Sequence, residues 1–158
     1  MDEAAKRMLQ HGMLEGDQER KYKWTPHLKA LVVDDGPTLT HGGMSFGAGY
    51  VLAEKLGVEV IDIRPHIEGS LRGVFKAYPH LQKVLPAMGY GKQQVEDLEN
   101  TLKNASVKSK CDCIIVGTPM NLNRVCRLDT PSISAQYELQ VLPDSWPVFE
   151  VYLKTFVE

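Results

Sequence analysis

The densest chemistry in the sequence lies between Asp34 and Gly49, DDGPTLTHGGMSFGAG, with two carboxylates, two threonine hydroxyls, an imidazole and five glycines. Glycine lets backbone N–H groups come close to a ligand or take positive φ. Imidazole can hydrogen-bond a phosphate or exchange a proton near neutral pH. Two readings stand open for Asp34, Asp35, Thr38, Thr40, His41, Gly42 and Gly43. In the first they contact a small anionic or phosphorylated metabolite, helped by the N–H groups that open the following helix. In the second they cap turns and bond to the local backbone. A divalent ion is a further reading at Asp34 or Asp35, by hard oxygen ligation beside a bound phosphate. No protein ligands for a stable metal site are obvious in the sequence.

Three more residues carry the same pair of readings. Arg64 can clamp a carboxylate or phosphate through two N–H groups, or close a turn with Asp62. Thr118 and Asn121, in GTPMN, can recognise polar ligand atoms or serve a turn and an N-cap. Other groups read as structural. Cys111 and Cys113 form a CxC with no second pair, a poor zinc pattern, and Cys126 reads as a core thiol despite Arg124 and Arg127. The glycine pattern is not GxGxxG with a suitable acidic residue, and GYGK at 89–92 is followed by Gln93 rather than Ser or Thr.

These residues need elements to hold them. Leu28–Val33 is a short branched apolar run ending at Asp34, which predicts a buried strand. Residues 35–43 read as a loop and 47–56 as a helix, with Gly57 as its C-cap. Val58–Ile63 reads as a second strand, followed by short helices near 70–77 and 80–86 and a longer one over Lys92–Ala105. Cys111–Val116 and Pro131–Tyr137 read as further strands, and 146–156 as a closing helix. Strand and helix in alternation predict an α/β fold, a three-layer Rossmann-like domain with a mainly parallel sheet of about four strands. Ligands in such folds sit beyond the C-terminal ends of the strands. Three exits are therefore of interest: 34–43, 62–69 and 117–123.

Composition sets the frame. The 158 residues are 43% apolar, enough for one core, and are read as a polar lead-in at 1–27 and a single domain at 28–158. The net charge of −2 gives no broad reason to bind nucleic acid or an anionic membrane. No apolar run reaches the 18 residues of a membrane span, and three cysteines, an odd number, fit reduced thiols in a cytoplasmic protein.

VVDDGPTLTHGGMSFGAGY, the DIRP of 62–65, YPHLQKVLPAMGYG at 78–91 and IIVGTPMNL at 114–122 resemble a family of predicted GTPases labelled cyclic 2,3-diphosphoglycerate synthetase-like. The resemblance runs from about Lys29 to Leu139 and covers only the C-terminal part of those longer proteins. It implies a P-loop nucleotide-binding domain or subunit as partner, with Thr38, Thr40, His41, Gly42 and Gly43 in an acceptor-substrate pocket facing it. Asn121 stands where that family commonly has Asp, and Gln136 where it has Arg. GTPase activity does not carry over, because the P-loop and NKxD motifs are missing from these 158 residues. The expected function is binding of a small anionic or phosphorylated metabolite as one part of a nucleotide-dependent enzyme. The alternatives are a metal-assisted phosphotransfer or phosphate-ester enzyme, and a non-catalytic assembly or regulatory domain.

Overall fold

The computed structural model describes residues 28–88, 91–136 and 145–157. The lead-in at 1–27, Tyr90 and the end of the expected strand at Tyr137 lie outside the described residues. Strand β1 (Lys29–Asp35) is the centre of the sheet, and its Ala30, Leu31, Val32 and Val33 are all buried. A strand covered by helices on both faces needs such a continuous apolar run. Along one edge of β1 lies β4 (Cys113–Gly117), parallel and in register from Ala30 opposite Cys113 to Asp34 opposite Gly117, with β5 (Ser132–Ser134) beyond it. The other edge is shared. Strand β2 (Glu59–Val60) pairs with Lys29 and Ala30, and β3 (Leu85–Ala87) with Val33 to Asp35.

Every pairing among the described residues is parallel, so the expected three-layer α/β architecture with about four strands forms, five strands being described. Leu31, Val33, Ile114 and Val116 pack under α3 (Leu71–Ala77), α4 (Lys92–Ser109) and α5 (Leu122–Val125). Ala30, Val32, Cys113 and Ile115 face the opposite layer, where α1 (Gly36–Thr40) contributes Leu39 and α2 (Ala48–Leu56) contributes Ala53. The two sets alternate along each strand, as the period of two requires.

Two local expectations differ from the structure. Residues 36–40 form a helical turn rather than loop, because Pro37 presets the first turn and Asp35 caps it. Residues 80–86 do not form a helix; Leu85 to Ala87 make a strand instead. Pro86 cannot donate to a ladder, and β3 pairs with β1 alone, so the proline sits where no second neighbour needs its N–H.

Helix α4 turns Leu98, Leu102 and Ala105 into the core at helical spacing, together with the carboxylate of Asp97. Asp97 is satisfied by the Ser70 N–H at 2.8 Å, the Ser70 hydroxyl at 2.6 Å and the Gln93 amide at 3.1 Å. Its neighbour Gly69 has φ +51°, and a Cβ there would run into the Asp97 carboxylate. Gly69→Ala is therefore expected to cost about 2 kcal/mol or more, from backbone strain and overpacking together. An unchanged urea midpoint would contradict this.

The Ser70 bonds hold the Asp97 carboxyl below its ordinary value of 3.8. A lowered carboxylate stabilises the fold above its unfolded pKa and loses that contribution as pH falls through the folded one. Ser70→Ala should thus be less stable than wild type at neutral pH, with the gap closing in acid. Urea melts across the acid range check this, and a gap that is constant with pH would refute it.

Helix α6 (Trp146–Val157) leaves Trp146, Val148, Val151, Tyr152 and Leu153 exposed. No helix among the described residues is long and apolar enough to cross a membrane.

Candidate functional site

The site is built on the C-terminal ends of β1 and β4. Asp34, the last buried residue of β1, is wholly shielded from solvent. Its carboxylate accepts hydrogen bonds from the N–H groups of Gly47 at 2.8 Å, Gly49 at 2.7 Å and Tyr50 at 3.3 Å. The N-terminus of α2, expected to attract a ligand anion, is thus occupied by the protein's own anion. Burial pushes the Asp34 carboxyl above its ordinary range, opposed by these three N–H groups. The carboxylate is also walled in. A Cβ on Gly47 would lie 2.8 Å from Asp34 Cγ, one on Gly49 2.8 Å from Oδ1, and one on Gly117 against both Oδ1 and the Gly49 nitrogen. The first and third strand exits are joined through this carboxylate.

Asp35 turns outward. Its Oδ2 accepts from the Thr38 N–H at 3.1 Å and the Thr38 hydroxyl at 2.7 Å, capping α1. Both aspartates are therefore committed to helix starts. Among the described residues no group of three or more His, Cys, Asp or Glu is arranged to hold a metal ion.

Thr40 and His41 follow at the end of α1. The buried Thr40 hydroxyl lies 2.8 Å from the Gly36 carbonyl, which can only accept, so its one proton is given there. The His41 Nδ1, 3.0 Å from the same oxygen, must then be the donor. In this contact the ring proton of a neutral imidazole would sit on Nδ1 and the lone pair on Nε2. His41, Gly42 and Gly43 are exposed. A Cβ on Gly42 would lie 2.5 Å from the Thr38 carbonyl oxygen, and Gly43 has φ +66°, so the turn out of α1 is specified by this pair. An exposed imidazole oriented by the Thr40 hydroxyl, beside open backbone, is what the loop offers chemically.

Thr118, just past β4, accepts from the Met120 N–H at 3.3 Å. Asn121 is exposed at the start of α5, and its side chain makes no capping bond. Arg64 is elsewhere. Its Nε lies 2.9 Å and its Nη2 2.6 Å from the Asp62 carboxylate, the turn pairing that was one of its two readings. The guanidinium holds the Asp62 carboxyl below its usual range. Arg64 lines a groove with Ile67, Arg72, Phe75, Lys76 and Leu81, none of them in 34–49 or 117–121.

The other two described histidines are engaged differently. His80 Nε2 donates to the Leu39 carbonyl at 2.7 Å, tying the α1 end to the chain before β3, and His66 Nε2 lies 3.1 Å from the Ser109 hydroxyl. The thiols are free and largely buried, and burial pushes Cys113 up to about 12 and Cys126 to about 11. They are protonated at neutral pH and are expected to resist iodoacetamide in the folded protein. Rapid alkylation of either before unfolding would contradict that placement.

Sequence reasoning missed the role of the Gly49 and Gly117 pair. The signal was present: an aspartate closing an apolar strand, with G-A-G thirteen to fifteen residues on, at the start of a helix.

Comparison with known proteins corrects the family expected from the loop motifs. The chain is 51% identical over 113 residues to arginine synthetase ArcE of Thermococcus kodakarensis, an alignment covering 71% of this chain. It does not point to the cyclic 2,3-diphosphoglycerate synthetase-like GTPases, and the P-loop GTPase association and the P-loop partner inferred from them fall with that reading. The physical reason lies in what THGGM builds: a helix end and a glycine turn, a local structure that specifies no nucleotide chemistry. No family model matches the chain, and no solved structure does. The chain spans about a quarter, 24%, of the relative's length, so what it resembles is a portion of an enzyme.

Proposed function

We propose that this chain is the α/β portion of an arginine-forming enzyme, and that the Thr38–Gly43 loop, with Thr118 and Asn121, forms part of its substrate pocket. The similarity to an arginine synthetase over most of the chain is the observation that carries the reading, and it favours an enzyme over a purely regulatory domain. The geometry supports a role for each group. Formation of a guanidinium joins an amine nitrogen to an electrophilic carbon as that carbon's bond to its leaving group breaks, and the attacking nitrogen must shed a proton. His41 Nε2, left with its lone pair by the Thr40 contact, is a proton acceptor placed at the strand exits. Thr118 and Asn121 follow the C-terminal end of the neighbouring strand, the end of a parallel sheet beyond which ligands bind. Asp34 acts through the scaffold, fixing the loop to α2. A cytoplasmic setting belongs to the same proposal and rests on the three free thiols.

Calorimetric titration with L-arginine tests the reading. Saturable binding is expected, weakened at least tenfold in His41→Ala. Binding that is absent, or equal in the variant, would count against the pocket.

A further inference from the structure

One groove takes none of its lining from 34–43 or 117–121. This groove of about 560 Å³ runs between the turn at Arg64–His66, helix α3 and the segment Pro79–Leu81. Its floor is apolar: Ile67 and Leu81 are buried and Phe75 is half-buried beside them. Its charge comes from three exposed cations, Arg64, Arg72 and Lys76.

Exposed cations are ordinarily a solvated face, but two of these are held in place. Arg64 is fixed by Nε and Nη2 on Asp62. Arg72 is fixed by Nε on the Ile67 carbonyl at 3.0 Å and by Nη2 on Glu68 at 3.3 Å. In both guanidiniums the Nη1 donors have no partner among the described residues, and Lys76 forms no ion pair among them. Arg72 and Lys76 are four apart on α3 and share one helix face. Anchored guanidiniums lose less side-chain freedom on binding than mobile ones, and they suit planar, two-point recognition of carboxylate or phosphate.

We propose that this groove binds a small organic anion, with its carboxylate or phosphate head on Arg64, Arg72 and Lys76 and its flat apolar body on Phe75 and Leu81. The groove shares no lining residue with the proposed substrate pocket, and its test does not depend on that reading. A cationic rim also makes it a poor site for a guanidinium.

The test is a ¹⁵N-NMR titration of the full 158-residue chain with phenyl phosphate, benzoate, phenol and inorganic phosphate. Phenyl phosphate and benzoate should each shift resonances of 64–81 saturably at millimolar concentration, and whichever binds more tightly identifies the preferred head. Phenol and inorganic phosphate should bind at least tenfold more weakly, since each lacks one half of the match. Lys76→Glu and Arg72→Gln, both at exposed positions, should lower phenyl phosphate affinity at least tenfold while the resonances of α4 and β4 stay unchanged. No saturable shift at 64–81, or equal affinity in both variants, overturns the site. Inorganic phosphate binding as tightly as phenyl phosphate overturns the role of the apolar floor.

Discussion

Gly117→Ala is expected to destabilise the fold by about 3 kcal/mol or more, at the upper end of what overpacking costs. The added methyl would meet Asp34 Oδ1 and the Gly49 nitrogen, neither of which is the free end of a flexible side chain. Asp34 is fully buried and its oxygens are engaged by three N–H groups, so it can move only by breaking them. Gly117 belongs to β4, which is in register with β1, so it cannot retreat without disturbing the centre of the sheet. Asp34→Ala should be comparably severe, since each buried N–H left without an acceptor costs about 1–3 kcal/mol. Equilibrium urea unfolding measures both. A loss below about 1 kcal/mol in either would mean that the carboxylate does not tie the two strand exits together.

The second large effect is on activity. On the proposed arginine-forming role, His41→Ala should lower the rate of arginine formation by about 10²- to 10⁴-fold, the usual contribution of a positioned base. Stability should change little, because His41 is exposed, its ring bonds to Thr40 Oγ1, and its backbone bond to the Pro37 carbonyl survives the substitution. Thr40 is a positioning residue in this account. Thr40→Val removes the oxygen that fixes Nδ1 as the donor, and should reduce kcat by about tenfold. Thr40→Ser, which keeps the oxygen, should restore most of it. Equal kcat in wild type, Thr40→Val and Thr40→Ser would show that the tautomer is not set by this contact.

The acid side of the stability curve has two opposed contributions. Asp62, Asp97 and Glu99 are held below their ordinary values by hydrogen bonds to Arg64, Ser70 and Lys103 respectively, so they stabilise the fold above those values and cease to do so in acid. Asp34 is raised by burial, so its contribution is present in acid and is lost as pH rises through its folded pKa.

The parallel α/β architecture was legible because ALVV and CIIV are unbroken apolar runs, which only a two-sided buried strand tolerates. Helix α4 was legible from the spacing of Leu98 and Leu102. Strand β3 was not, because Pro86 argues against any strand until the one-sided pairing with β1 is known. The loop composition identified Asp34 to Gly43 as dense in polar groups but could not apportion them. Whether a carboxylate meets a ligand or the start of its own helix depends on where α2 docks, a tertiary fact. Arg64 and the β1 loop both follow strands, yet the edge of β1 is divided between β2 and β3, and Arg64 in the chain between them lines a groove with α3 residues rather than with the β1 loop. The family expectation failed for a related reason: short glycine motifs describe a backbone turn before they describe a reaction.

The most direct measurement is of the His41 ring nitrogens by long-range ¹H–¹⁵N NMR during titration with L-arginine. The account predicts the Nδ1–H tautomer in the free protein, with the Nε2 resonance moving saturably as arginine binds while Nδ1 keeps its proton. An Nε2–H tautomer in the free protein, or an Nε2 resonance unmoved at saturating arginine, would contradict it.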